Sequence, residues 1–188
     1  MNKLPSRDKA FELFNEYNKT TSLIKHALTV EGIMIHFSGL YENQNSEEWG
    51  IIGLVHDIDY EMFPDEHCVK AESILSEAGW PEWAIRAMKS HGYEICTDVK
   101  PETDLEKVLY TIDELSGLIT ATALMRPSKS VSDLKVKSVM KKWKTKSFAA
   151  GVDRELITKG CVELDMTIQE VIQECITGMQ KISDSIGL

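Results

Sequence analysis

Apolar side chains recur at three- and four-residue spacing along most of this chain, the period of an amphipathic helix. The clearest run is Leu23, Ala27, Val30, Met34 and Phe37. Polar punctuation divides the pattern into helices. Ser6 caps a first one, with Phe11 and Phe14 on its apolar side, ending near Asn18. Thr20-Thr21-Ser22 opens a second, to about Leu40. After the polar loop Glu42-Asn43-Gln44-Asn45, Ser46 caps a third from Glu47 to His56, with acids in its first turn where the helix dipole favours them. Asp65 is the expected cap of a helix beginning near Glu66 and closed by Gly79. Pro81 suits the first turn of the next helix, which reaches Ser90 and leaves His91-Gly92 at its C-terminal end. Thr103-x-x-Glu106 is a capping box opening a long helix to about Met125, stopped by Arg126-Pro127. Three more helices fit 130–188, the last opened by Thr167-x-x-Glu170. Strand patterns are sparse, and neither an internal repeat nor a low-complexity linker is evident. The expectation is one all-α domain over 1–188.

Composition changes this picture little. The 188 residues are 43% hydrophobic and 27% charged, ordinary for a globular domain. No apolar run approaches the roughly 18 residues of a membrane span. The opening stretch Met1-Asn2-Lys3-Leu4-Pro5-Ser6-Arg7-Asp8 lacks a signal peptide's apolar core, so a cytoplasmic protein is expected. The net charge of −9 argues against a broad nucleic-acid surface, although a local basic cluster would still serve a phosphate substrate. Cys68, Cys96, Cys161 and Cys175 are widely spaced, with no C-x-x-C pair, and read as reduced core residues rather than a redox dithiol.

The chemistry is concentrated around Gly53-Leu54-Val55-His56-Asp57-Ile58-Asp59. An apolar run ends there in an imidazole and a carboxylate, a donor set suited to iron, manganese, nickel or zinc. Within a helix, adjacent side chains diverge by about 100°. At a helix end the backbone turns, and both can reach one ion. Such a dipeptide also occurs by chance, so its company decides. His26 borders the apolar stripe of the second helix, His67 and His91 lie near later helix ends, and Asp113 sits within an apolar helix where an unpaired carboxylate is costly. Asp59 and Glu61 are either acids that orient a ligand or solvated loop residues. His36 reads as structural or solvent-facing, and Glu114 as exposed.

With these residues in order, the region from about 20 to 120 resembles the HD superfamily of metal-dependent phosphohydrolases. That family's pattern, a His, a His-Asp pair and a later Asp on a helical bundle, falls on His26, His56-Asp57 and Asp113. His67 and His91 fall where some branches hold a second metal. The resemblance implies an HD core over about 20–126 with a helical extension over about 130–188. It further implies one or two divalent transition-metal ions: His26, His56 and Asp113 on one, His67 and His91 on the other, and Asp57 between them. The implied activity is hydrolysis of a small phosphate ester, a nucleotide first, by metal-activated water, with His56 and Asp57 at the reaction centre. A regulatory module that binds metal or nucleotide without turnover, and a di-iron oxygenase on the same scaffold, are the other classes. The chain departs from the common His-Asp-Ile-Gly-Lys signature, reading His56-Asp57-Ile58-Asp59-Tyr60. The missing lysine leaves the phosphate clamp to come from elsewhere, and Arg126, Lys129 and Lys146 are the candidates.

Overall fold

The computed structural model describes residues 3–188; the first two residues of the opening stretch lie outside the described residues. The described chain is all-helical. In order it forms α1 (Arg7–Tyr17), α2 (Thr21–Ser38), α3 (Ser46–Val55), a 3-10 turn (Pro64–Glu66), α4 (Val69–Glu77), α5 (Glu82–Ser90), α6 (Asp104–Leu124), α7 (Val136–Trp143), α8 (Arg154–Glu163), α9 (Ile168–Lys181) and α10 (Ser183–Ile186). No helix among the described residues is long and apolar enough to cross a membrane.

Helix α2 is the centre of the bundle, packed by α3, α6, α9 and α10. Its face of Ala27, Val30, Ile33, Met34 and Phe37 is fully buried. The α2–α3 crossing is close because Gly53 faces Met34: a Cβ there would lie 2.8 Å from Met34 Cγ. A fork of two 2.8 Å bonds from Arg7 to the buried Glu31 ties α1 to α2. His36, expected to be structural or solvent-facing, bridges α2 to α9 through Glu174 at 2.6 Å and stands apart from the other histidines. The C-terminal helices join the same bundle, with α8 on α6 and α9 on both α2 and α6.

Most caps fall where the pattern places them. Both capping boxes, Thr103 with Glu106 and Thr167 with Glu170, are formed. Gly79 adopts a left-handed φ of +77° and closes α4, with Gly79 N–H on Ser76 and Trp80 N–H on Leu75. Three details differ. Asn45, not Ser46, caps α3 by accepting the Glu47 N–H at 3.1 Å. Asp65 caps nothing; it sits in the 3-10 turn, and α4 begins only at Val69 because Cys68 takes a left-handed φ of +66°. The C-terminal region carries a fourth short helix, α10, beyond the three expected.

Candidate metal centre

Four helices and one loop bring the candidate ligands together. His26 comes from the second turn of α2, and His56 and Asp57 from the C-terminal end of α3. His91 is the C-cap of α5, and Asp113 lies within α6. His67 stands in the break between the 3-10 turn and α4. Helix α3 ends at Val55 with His56 as its C-cap, still helical in backbone, and the two neighbouring side chains converge, His56 Nε2 lying 3.4 Å from Asp57 Oδ2.

The ligand atoms form two groups. In one, His26 Nε2 lies 3.2 Å from His56 Nε2 and 3.0 Å from Asp113 Oδ1, and His56 Nε2 lies 3.2 Å from the same oxygen. In the other, His67 Nε2 and His91 Nε2 are 3.1 Å apart. Asp57 stands between them. Its Oδ2 faces His26 and His56 at 3.6 and 3.4 Å, and its Oδ1 faces His67 and His91 at 3.4 and 3.5 Å.

Every imidazole is oriented through its other nitrogen. His56 Nδ1 donates to Gly53 O at 2.8 Å, and His91 Nδ1 to Met88 O at 2.5 Å. His67 Nδ1 donates to Asp59 Oδ1 at 2.8 Å. Ser116 gives its proton to Asp113 O at 2.7 Å, leaving its oxygen to accept from His26 Nδ1 at 3.4 Å. This fixes the tautomers so that all four Nε2 lone pairs aim inward. Lone pairs this close repel unless a cation or protons lie between them. Two donors on one ion at about 2.1 Å stand about 3.0–3.4 Å apart, which matches the spacings within each group. The donor sets therefore fit metal ions.

Without a cation, the site's charges act on one another. Burial alone would lower the pKa of His56, but Asp57 and Asp113 outweigh it and push it well up. Burial would raise both carboxyls, yet His56 above all holds Asp57 and Asp113 well below the usual carboxylate range. His67 is likewise raised, against its burial, chiefly by Asp59.

Asp59 and Glu61 resolve differently. Asp59 is completely buried; one oxygen orients His67 and the other accepts the Ala71 N–H at 2.8 Å. It thus supplies the cap that α4 lacks from its own sequence. Glu61 points away from the centre. It accepts from Lys19 N, Thr20 N and Thr20 Oγ1 at 2.7, 2.9 and 2.8 Å, securing the start of α2.

The ligands open onto a cleft of about 400 Å³. Leu23, Tyr60, Ile95 and Val152 form its apolar rim, and among the described residues no lysine or arginine lines it. The structure does not bring the expected phosphate clamp there. Arg126 is held by Asp133 at the end of α6, thirteen residues or about 20 Å along the helix from Asp113. Lys129 and Lys146 are exposed elsewhere. Glu114, expected to face solvent, is partly buried, lines the cleft and accepts the Asp153 N–H. Sequence reasoning also missed the wall built from the α7–α8 loop. Arg154 gathers that loop by donating to the carbonyls of Trp143, Phe148 and Val152 at 2.9, 2.7 and 3.2 Å, which sets Gly151 and Val152 against the cleft.

The chain matches no known family model, no characterised protein and no solved structure.

Proposed function

We propose that the protein is a metal-dependent hydrolase of small phosphate monoesters, built on the HD pattern. The observation that carries this reading is the Asp57 carboxylate, which turns one oxygen to each histidine pair. His26, His56 and Asp113 would hold one divalent ion, His67 and His91 a second, with Asp57 shared. Such ions supply a nucleophilic water at neutral pH and positive charge for the phosphoryl oxygens.

The chain's own residues do the rest. Gly53 O, Met88 O, Asp59 and Ser116 hold the four rings in ligating orientation. Because no cationic side chain lines the cleft, a polyphosphate tail would meet no counter-charge beyond the ions. That favours a single phosphoryl group. Leu23, Tyr60, Ile95 and Val152 offer an apolar surface for the organic part, and the ring of Tyr60 suits the base of a nucleoside monophosphate.

The test is metal content together with turnover. Protein loaded with iron, manganese, nickel or zinc should retain about two ions per chain and cleave members of a monophosphate panel. His67→Ala with His91→Ala should reduce this to about one. Retention of full activity after exhaustive chelation would overturn the proposal. Oxygen consumption without phosphate release would move the assignment to the oxygenase class, and nucleotide binding without turnover to the regulatory one.

A further inference from the structure

Cys68 and Cys96 are 28 residues apart in sequence, and the fold places their sulfurs 3.2 Å from each other at the edge of the cleft. The arrangement is built from three sides. Cys68 is completely buried and held in a left-handed backbone conformation at the start of α4. Cys96 is exposed, in the loop that follows His91, and it lines the cleft. Between them lies Gly92, where a Cβ would stand 2.8 Å from Cys68 Sγ and press on Cys96 Sγ as well. Only a residue without a side chain leaves room for the two sulfurs to meet. The remaining cysteines, Cys161 and Cys175, are both buried and outside this cluster.

We infer that Cys68 and Cys96 are a peroxide-reactive dithiol site, closing reversibly to an intramolecular disulfide. A disulfide needs sulfurs about 2.05 Å apart, so closure requires a small side-chain adjustment. The accessible thiol reacts first. The Cys96 sulfur attacks a hydroperoxide oxygen, the O–O bond breaks, and Cys96 sulfenic acid and one water (or an alcohol, from an organic hydroperoxide) form. The Cys68 sulfur then attacks the Cys96 sulfur, the S–O bond breaks, and a second water leaves with the Cys68 proton. The two thiols lose two electrons and two protons, and the hydroperoxide takes up both. Cys68 adjoins His67, and the Cys96 loop follows His91, so the closed bridge links the two segments that carry this histidine pair. The site stands whether or not the cleft hydrolyses phosphate.

The experiment treats the full-length protein as purified with one equivalent of hydrogen peroxide per chain. Disulfides are then mapped by mass spectrometry without reduction. The expected result is one Cys68–Cys96 linkage, lighter by two hydrogen atoms, reopened by dithiothreitol. It should be absent from Cys96→Ser and intact in Cys161→Ser. Accumulation of Cys96 as sulfinic or sulfonic acid with Cys68 still a thiol would overturn the inference. So would a linkage between two chains, or unreacted thiols at both positions.

Discussion

Asp59 shows how much one buried carboxylate does here. Its two oxygens serve two different donors, the His67 ring and the Ala71 backbone, and its side chain is out of contact with water. Substitution by Asn keeps the shape but replaces one acceptor with a donor. One of the two partners then loses its bond, at a cost of about 1–3 kcal/mol in unfolding free energy. The His67 ring also loses its charged orienting partner, which typically weakens metal affinity about 10–100-fold. We expect Asp59→Asn to show both effects, read by denaturant unfolding and by chelator competition. Glu61→Gln, two residues away, should leave metal affinity unchanged, because Glu61 faces the start of α2 instead.

At the level of elements, α6 is anchored at its N-terminus by Glu106. Burial would raise its carboxyl, but the Thr103 and Glu102 backbone N–H groups and the Arg86 guanidinium outweigh that and hold its pKa below the ordinary glutamate value. A carboxyl depressed in the folded state stabilises fully above its unfolded pKa of about 4.3, and that contribution fades as pH falls through the lower folded value. Acid titration of stability should therefore slope less steeply below about pH 5 in Glu106→Gln than in the native chain, under matched metal conditions. Equal slopes in denaturant melts across that range would refute the assignment.

For the molecule as a whole, the C-terminal third is part of the cleft and not an appendage. The α7–α8 loop reaches it through Arg154, whose guanidinium has no carboxylate partner among the described residues and donates to backbone carbonyls. Five carbonyls, that of Trp143 at the end of α7 and four in the loop, converge on a single side chain, so Arg154→Ala leaves the loop without its organiser. The expected outcome is easier proteolysis within 144–153 and, under the proposed function, a raised Michaelis constant for a phosphate monoester. Any metal content should be unchanged, because no candidate ligand lies on that loop. Loss of bound metal in this variant would show that the C-terminal region supports the ligands directly.

Periodicity, caps and turn residues alone determined the all-helical class and most helix ends, because those signals are local. The hydrogen bond of a capping box or a left-handed glycine is made within four or five residues of chain. His26, His56, Asp57, His67, His91 and Asp113 were also legible, because few residue types ligate metals and an acid in an apolar helix demands a partner. What only the tertiary structure decided was which distant groups meet. It assigned Asp59 to His67 and Glu61 to α2, and it kept Arg126, Lys129 and Lys146 away from the cleft. It also brought together two cysteines whose sequence spacing suggests no pair. Side-chain meetings beyond the few residues of a cap depend on how helices and loops pack, and that packing is set by the surfaces of both partners, not by the pattern along either one.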